Sequence, residues 1–548
     1  MSRIASLISF LFLAIVVNAQ QGYYSISFKD KACSETLSAS DFLSQKALNR
    51  RAKSNINISW DDYPLCNNYV AEVIKNSGVE LKNKLKWTNE ITIAVTNDNS
   101  ISKIKSLPFV KSIQFICKFP SPNRSTISKD KLEEGSFTPD YGKSKTQLEM
   151  ISMNDLQRKG FLGKGMLIAV FDAGFRRVDT MQNFQSLWKN KQIVGQRDFV
   201  GNLDSVFYGS NHGMSVLSTM AINLDGEMIG SAPSANYYLM LTEDSKSETL
   251  IEEYNWAEAA ELADSIGADV INSSLGYTVF DDTTTSHTYA DLDGNTTVIT
   301  RAANRAFEKG ILVVNSAGNS GNRPWYYIGA PADGYGVFSI GAVDGSESLA
   351  DFSSHGPTSK GVTKPDVCAM GSKVFVVNAK SEVDVSFGTS FSGPIIAGSA
   401  ACLWQSHPEL TNKELMDIIR KSAHLYKTPN NDYGYGIPNF NEALNIAYES
   451  HFAEDNDKGL IGDFLIYPNP TNNDTKIEFV NEKETANSTI EIYNSSGSLV
   501  ILNNFLSRQG HNYINVDCSG LLAGVYIVRL NIGGSISRKN LVIIGKEK

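Results

Sequence analysis

The clearest hydrophobic pattern along the chain lies between about Tyr141 and Ser450. Short continuous apolar runs, typical of strands buried on both faces, alternate there with stretches whose apolar residues recur every three or four positions, typical of helices. The runs are at 166–171, 269–271, 311–314 and 337–340, and the helical stretches include 250–266 and 298–309. This alternation predicts an α/β fold with a doubly wound parallel sheet.

Two smaller regions with different patterns flank this one. Strand-like runs alternate with a helical pattern near 69–76 in the first, which predicts a small α+β module. In the second, short strands separated by Gly, Asn and Ser turns predict a small all-β sandwich. Residues 118–140 are polar and lack periodicity, so we expect an exposed linker and a processing boundary there. The predicted domains are 20–137, 138–450 and, after a linker at 451–463, 464–548.

The first 19 residues have the composition of a secretory signal peptide. Arg3 precedes an uncharged, mostly apolar run from Ile4 to Val17, and Val17-Asn18-Ala19 suits cleavage by signal peptidase. The alternative is a membrane anchor, but that needs about 20 apolar residues and this run is shorter. We therefore predict export, with residues 1–19 removed.

Composition and charge narrow the choice of partners. Apolar residues make up 42% of the chain and charged residues 20%, which excludes wholesale disorder. The net charge is −9, and no basic cluster is interleaved with aromatic residues, so we expect no nucleic acid partner. Six cysteines are too few and too scattered for a disulfide scaffold, and among their pairings we single out Cys33 with Cys66.

Two residues of the central region are suited to general acid–base chemistry. Asp172 directly follows the apolar run 166–171, at the carboxyl end of a predicted strand, where α/β sheets bind ligands. His212 leads into a helical pattern at 215–222 and is a candidate general base. Each residue alone has a plainer interpretation, as a turn cap or as a packed histidine.

Two further residues are suited to a serine nucleophile and its oxyanion. Ser390, in Phe-Gly-Thr-Ser-Phe-Ser-Gly-Pro, precedes an apolar helix at 395–404, and helix N-termini favour developing negative charge. Asn319 follows the run 311–314 and would offer a side-chain amide donor. A helix cap and a turn residue are the plain alternatives, so the joint occurrence of all four residues carries the prediction.

Four short motifs around these residues resemble those of the subtilisin-like serine proteases and occur in the same order along the chain. They are Asp-Ala-Gly at 172, His-Gly at 212, Ser-Ala-Gly-Asn ending at 319 and Gly-Thr-Ser ending at 390. The resemblance implies an endopeptidase with Asp172, His212 and Ser390 as its triad and Asn319 in its oxyanion hole. Met214 and Phe391-Ser392-Gly393 depart from the commoner family residues, which leaves the side-chain preference open.

The same resemblance implies how peptide substrates are bound. Ser273-Ser274-Leu275-Gly276 is similar to the family's substrate-binding edge, which pairs with an extended peptide. Substrate-binding roles are implied for Ser274, Leu275, Gly276, Ala317 and Gly318, the last two as a wall of the primary pocket.

The flanking regions also carry resemblances. Residues 86–90 and 107–110 resemble propeptides of exported bacterial relatives, which implies a folding aid and temporary inhibitor. Residues 467–470 and 522–528 resemble the sorting domain of type nine secretion, which implies export by that machinery from a Bacteroidetes-like cell. A carbohydrate-binding or adhesive β-module is the alternative for this last region.

We expect protein substrates, a monomer and no cofactor. Many relatives bind calcium, which makes Asp281, Asp282, Asp291 and Asp293 candidate ligands, but EF-hand spacing is lacking and solvated loop acids are the expectation.

Two other functions are alternatives to a protease for a chain of this fold class. An α/β esterase needs Gly-x-Ser-x-Gly and a serine that precedes the other triad residues, whereas Ser390 comes last. A catalytically idle protease fold predicts a missing triad or oxyanion residue, and all four candidates are present.

Overall fold

The computed structural model describes residues 21–97, 99–120, 141–447, 464–471, 473–494 and 498–543. The predicted signal peptide, the linker at 451–463 and most of the predicted processing boundary lie outside the described residues. Within those ranges, no helix is long and apolar enough to cross a membrane.

The N-terminal region folds as an α+β module around a four-stranded antiparallel sheet. Its elements are β1 (Gly22–Phe28), α1 (Gln45–Lys53), α2 (Asn67–Ile74), β2 (Val79–Leu85), β3 (Glu90–Val95), α3 (Asn99–Lys105) and β4 (Val110–Cys117). The strand order is β2-β3-β1-β4, and apolar side chains of the sheet and helices form a core separate from the rest of the chain. A disulfide joins Cys33 to Cys66 and closes the segment between β1 and α2.

A seven-stranded parallel sheet organises the central region and confirms the predicted doubly wound fold. Its strands are β5 (Leu167–Asp172), β6 (Ile193–Asp198), β9 (Asn236–Leu241), β10 (Val270–Ser273), β11 (Leu312–Ser316), β12 (Val337–Val343) and β13 (Val367–Met370). Two antiparallel hairpins accompany the sheet, β7 (Asn223–Leu224) with β8 (Met228–Ile229) and β14 (Ser372–Val377) with β15 (Val383–Phe387).

Helices cover both faces of this sheet and complete two hydrophobic cores. They are α4 (Lys145–Glu149), α5 (Met153–Arg158), α6 (Gln185–Lys189), α7 (His212–Ala221), α8 (Ile251–Ile266), α9 (Val298–Glu308), α10 (Thr389–Ser406) and α11 (Asn412–Lys421). All but the last two residues of α10 are buried, which explains why its sequence is apolar on every side.

The order of the strands places a crevice at the end of β5. The order is β13-β12-β11-β10-β5-β9-β6, so the chain builds the sheet on one side of β5 and then crosses to the other side at β10. Loops that leave the carboxyl ends of strands at such a reversal diverge and open a crevice, which is where α/β sheets bind ligands. Asp172, the last residue of β5, lies at this point.

The N-terminal region packs against the central region along helix α8. The carboxylate of Glu261 accepts hydrogen bonds from the backbone N–H groups of Lys86 (2.6 Å) and Trp87 (2.8 Å), and Asn83 donates to Asn255 (3.0 Å). Backbone N–H groups of the module are therefore satisfied by a side chain of helix α8, in place of the carbonyl groups that a neighbouring strand would offer.

A buried ionic network strengthens this contact from α1. Arg51 makes two hydrogen bonds of 2.9 Å to Asp62 and one of 2.7 Å to Asp264 of α8. Arg50 donates to the same Asp264 (2.5 Å), and Lys309 pairs with Asp62 at 2.7 Å. Every one of these charged side chains is at most 2% exposed. Each buried charge is therefore compensated in part by an opposite charge from the other of the two docked regions.

The C-terminal region is all-β, with two antiparallel sheets that enclose a core of their own. Its strands are β16 (Leu465–Tyr467), β17 (Asp474–Asn481), β18 (Thr485–Tyr493), β19 (Leu499–Ser507), β20 (Gly510–Asp517), β21 (Gly524–Ile532) and β22 (Ser535–Ile543). The sheets have the orders β16-β17-β20 and β19-β18-β21-β22, in agreement with the predicted sandwich.

The buried network predicts that two substitutions, each of which removes an ion pair, differ greatly in their effect on the stability of the docked N-terminal region. Arg51→Met leaves the carboxylates of Asp62 and Asp264 short of a partner and should destabilise the docked N-terminal region by about 3–5 kcal/mol. Lys75→Met removes the exposed pair with Glu72, which lies on the surface, and should change stability by less than about 1 kcal/mol. Hydrogen-exchange protection of β1 and β3 amides in the full chain measures both, and equal effects would contradict the role given to the network.

Candidate active site

The crevice at the end of β5 brings Asp172 and His212 together. Asp172 is fully buried, and its carboxylate lies 2.8 Å (Oδ1) and 3.1 Å (Oδ2) from Nδ1 of His212. Oδ1 also accepts a hydrogen bond from the backbone N–H of Ala173 at 2.8 Å. A carboxylate on Nδ1 fixes the ring with its proton on that nitrogen and leaves Nε2 free to accept one.

Gly213 explains how α7 begins so close to β5. A Cβ atom on this residue would lie 2.7 Å from Cβ of Asp172 and 2.6 Å from the carbonyl oxygen of Gly174. Any side chain here would push the first turn of α7, and with it His212, away from the carboxylate. The helix begins at His212 itself, three residues before the predicted start at 215.

The surroundings of His212 favour its protonated form. Burial by itself lowers the pKa of the ring, but the charge and hydrogen bond of Asp172, with a further contribution from Glu243, raise it to about 9. The imidazolium is therefore well stabilised at this position, and it is the form that a general base adopts after taking up a proton.

Ser390 lies in the first turn of α10, which begins at Thr389, six residues before the predicted start at 395. Its backbone carbonyl accepts a hydrogen bond from Ser274 Oγ (2.9 Å), and its own Oγ donates to the carbonyl of Ser274 (3.4 Å). The ring of His212 lies beside this turn, with its centroid 5.9 Å from that of Phe391. The structure contains no hydrogen bond between Ser390 Oγ and His212.

Two nitrogen atoms that carry hydrogens lie near the space beside Gly388, next to Ser390. A Cβ atom on Gly388 would lie 3.5 Å from Nδ2 of Asn319, 3.6 Å from the backbone nitrogen of Ser390 and 3.7 Å from Ser390 Cβ. Gly388 has no side chain, and no described atom beyond its two chain neighbours lies closer than 3.5 Å to this point, so it is open. A helix N-terminal N–H and a neutral amide close to one open point form an arrangement suited to an oxyanion.

Thr389 orients the amide of Asn319, a role that the sequence does not reveal. The backbone N–H and the hydroxyl of Thr389 both lie 2.9 Å from Oδ1 of Asn319. Because both donors face the oxygen, the NH₂ group of the amide turns toward Gly388. Thr389 Oγ1 also accepts a hydrogen bond from the N–H of Gly318 (3.2 Å), which ties the two loops together.

The segment predicted to bind the substrate backbone follows β10 directly. Its first carbonyl, on Ser274, faces Ser390, and the carbonyl of Leu275 accepts a hydrogen bond from Asn315 (3.0 Å). Among the described residues, none forms a hydrogen bond with the N–H or carbonyl of Gly276. An unused backbone pair at the edge of a cleft is what an extended peptide needs in order to add as a strand.

Ala317 and Gly318 lie between β11 and Asn319. Ala317 is fully buried, and its carbonyl accepts a hydrogen bond from Gly329 (3.3 Å). The hydrogen bond from Gly318 to Thr389 keeps this segment next to the start of α10, and the role of both residues as a wall of the primary pocket stays a prediction.

The four loop acids considered as calcium ligands have local partners. The side chain of each accepts a hydrogen bond from backbone N–H groups of nearby loops, namely Asp281 from Glu248, Asp282 from Thr284, Asp291 from Thr288, and Asp293 from Asn295 and Thr296. In the described part of the chain, no three His, Cys, Asp or Glu side chains are grouped closely enough to hold a metal ion.

Three family models match separate parts of the sequence. Residues 163–436 match the subtilase family, residues 23–132 match a peptidase S8 propeptide domain of Bacteroidota, and residues 465–544 match a secretion system C-terminal sorting domain. The predicted domain boundaries themselves stay predictions.

Characterised proteases of bacilli are similar over much of the chain. Subtilisin E of Bacillus subtilis is 26% identical over 377 residues, which are 68% of this chain and 85% of that protein. A thermostable alkaline protease of Halalkalibacterium halodurans is 28% identical over 317 residues (58% and 76%), and a subtilisin of Bacillus pumilus is 28% identical over 300 residues (54% and 97%).

The subtilase match covers half of the chain and coincides with the sheet that carries the site. The chain therefore belongs to the subtilase family and is a serine-type endopeptidase with a propeptide domain and a sorting domain for secretion to the cell surface or beyond.

Proposed function

We propose that this protease cleaves proteins through an acyl-enzyme formed on Ser390, with His212 as general base and Asp172 as the residue that orients it. The observation that carries the proposal is the 2.8 Å contact between Asp172 and Nδ1 of His212, beside the helix turn that contains Ser390. With Nδ1 occupied, only Nε2 can accept the serine proton.

In the first step, rotation of the Ser390 side chain turns Oγ away from the carbonyl of Ser274 and toward His212. Oγ attacks the peptide carbonyl while Nε2 of His212 takes its proton. The buried Asp172 carboxylate stabilises the imidazolium that forms, in keeping with the raised pKa of the ring. Apo structures commonly hold catalytic hydrogen bonds longer than the reacting complex does.

The oxyanion that develops on the substrate carbonyl is placed at the open point beside Gly388. Nδ2 of Asn319 and the N–H of Ser390 donate to it there, and the positive end of the α10 dipole adds to the effect. His212 then passes its proton to the leaving amine, and a water molecule, deprotonated by the same ring, releases the acyl group. These steps use no cofactor.

The N-terminal region acts in this proposal as a temporary inhibitor. It is held on α8 by Glu261 and the Arg51 network, and its last described residues, Cys117–Pro120, border a cavity of about 480 Å³ together with Thr249, Asp281 and Asp282. That cavity lies beside the segment that follows Gly276. Cleavage within 118–140 would separate the docked module from the protease domain and so free the enzyme.

The sorting domain and the protease domain each imply a binding partner. The sorting domain would be read by the type nine secretion machinery, and peptide chains in extended form would be the substrates. We propose that the enzyme acts as a monomer and without nucleic acid, given its net charge of −9.

The proposal is tested by Ser390→Ala against Ser392→Ala. Ser392 lies two residues further along α10, is fully buried and donates to the carbonyl of Thr389 (3.1 Å), so it provides a matched serine without the proposed role. Chains lacking the signal peptide are followed for their size and for casein digestion. We expect wild type and Ser392→Ala to shorten within 118–140 and digest casein, and Ser390→Ala to do neither. Processing and digestion by Ser390→Ala would refute the assignment.

Loss of the second oxyanion donor should slow the chemical step. Asn319→Ala is expected to lower kcat about a hundredfold or more with little change in thermal stability, because one preorganised donor is lost. Asn322→Ala, at an exposed position three residues later, is the control and should leave kcat unchanged. Steady-state kinetics on a peptide substrate measures both, and an unchanged kcat in Asn319→Ala would show that this amide does not bind the oxyanion.

A further inference from the structure

Asn315 is a polar residue at a position where the pattern of its strand favours an apolar one. It lies in β11, directly after the buried apolar residues 312–314, and is itself fully buried. Its Nδ2 donates hydrogen bonds to the carbonyl of Leu275 (3.0 Å) and to the carbonyl of Ser316 (2.7 Å). One side-chain amide therefore joins the end of β11 to the segment that follows β10.

The stability of the fold does not explain an asparagine here. Among the described residues, Oδ1 of Asn315 has no hydrogen-bond partner, and a buried acceptor without a partner destabilises the folded state. A branched apolar residue, like Val313 and Val314 before it, would suit a buried strand better. Proteins depart from such local preferences mainly at functional sites. The amide is therefore better explained by what it positions.

The hydrogen bond to Leu275 determines the direction of the next backbone N–H. In a trans peptide unit the C=O and the N–H point in opposite directions. Because the carbonyl of Leu275 points toward Asn315, the N–H of Gly276 points away from β11. A Cβ atom on Gly276 would have only the carbonyl oxygen of Ala330 within 4 Å, at 3.7 Å, so the space beside this residue is open. An extended peptide can therefore reach this N–H.

The residues on either side of this peptide unit are anchored separately. Ser274 is tied to the first turn of α10 by two hydrogen bonds, and Tyr277 exchanges two backbone hydrogen bonds with the loop before β12 (2.8 and 3.2 Å). Between these anchors, Asn315 is the one donor to the carbonyl of Leu275 in the described part of the chain. Since Gly276 tolerates many backbone conformations, the unit could turn without this bond.

The second hydrogen bond of Asn315 holds the amide itself in place. The carbonyl of Ser316 binds one hydrogen of Nδ2, which leaves the other directed at Leu275. On the other side of the same peptide unit, the N–H of Ala317 donates to a carbonyl of β12 (2.9 Å). That bond does not depend on Asn315, so the path of the chain toward the oxyanion donor should change little when Asn315 is replaced.

We propose that Asn315 is a positioning residue for substrate binding, which aims the N–H of Gly276 at the backbone of the bound peptide. This role rests on the proposed function, since it takes Ser274–Gly276 as the edge to which the peptide adds. Asn315 touches neither the substrate nor the reacting atoms and acts through Leu275. Its effect therefore grows with the length of peptide that lies along this edge and is small for a substrate that begins at the cleaved bond.

The test compares a long and a short substrate on the full chain after self-processing. Both carry the same residue before the cleaved bond and the same thioester leaving group, and the long one has three further residues on its amino side. Asn315→Ala should lower kcat/KM about tenfold for the long substrate and less than about twofold for the short one, because one backbone hydrogen bond to the long substrate is misaligned. A general loss of folded enzyme would instead lower both values alike.

Asn412→Ala is the matched control. Asn412 is buried, begins α11 and also donates from Nδ2 to two carbonyls, those of Phe307 (2.8 Å) and Ile311 (2.9 Å), at the opposite end of β11. Its replacement should lower thermal stability about as much as Asn315→Ala does. The long-to-short ratio of kcat/KM should nevertheless stay at the wild-type value.

Asn315→Val provides a second variant whose branched side chain suits a buried strand. We expect it to fold about as stably as wild type and still to lower the long-to-short ratio about tenfold. A wild-type ratio in both Asn315→Ala and Asn315→Val would overturn the positioning role and leave the protease assignment intact. If wild type hydrolysed neither thioester nor casein, the proposed function would fail, and this role with it.

Discussion

The fully buried carboxylate of Asp172 is the constraint on which the arrangement of the site depends. A charge removed from water must be compensated by hydrogen bonds, and among the described residues the N–H of Ala173 and Nδ1 of His212 provide them. Since β5 must end at this carboxylate and α7 must begin at the histidine, the two elements have to meet at the reversal of the strand order. The absence of a side chain at Gly213 is what allows this approach.

The same logic of buried charge holds the N-terminal region in place. Arg51 and Asp264 are 213 residues apart in the sequence, yet they form a buried ion pair. While the two regions are docked, water cannot replace either partner. Burial raises the pKa of Glu261 to about 8, although Lys86 and two backbone N–H groups act to lower it. The charge of Glu261 therefore depends on these groups of the N-terminal region. Such contacts are strong only as a set, because removal of one member leaves the others buried without compensation.

The sequence predicts the fold and the main site residues because both leave local signals. Buried parallel strands appear in the sequence as apolar runs, and Asp172 directly follows one of them. Asn319 comes a few residues after another such run, and Ser390 precedes the apolar helical stretch at 395–404. The role of Thr389 could not be predicted, because it depends on a loop 70 residues away. Strand β19 carries a weak sequence signal, because Leu499, Val500 and Leu502 in it are exposed and apolar alternation does not mark a buried face there.

The central claim is that Ser390 is the nucleophile that the Asp172–His212 pair activates. The most direct measurement is labelling of the self-processed protein with a fluorophosphonate, followed by mass spectrometry of its peptides. The account predicts a single modification, on Ser390, that is lost in a His212→Ala variant which is first processed in trans by wild type. Modification of Ser392 or another serine, or labelling of the His212→Ala variant at the wild-type rate, would contradict it.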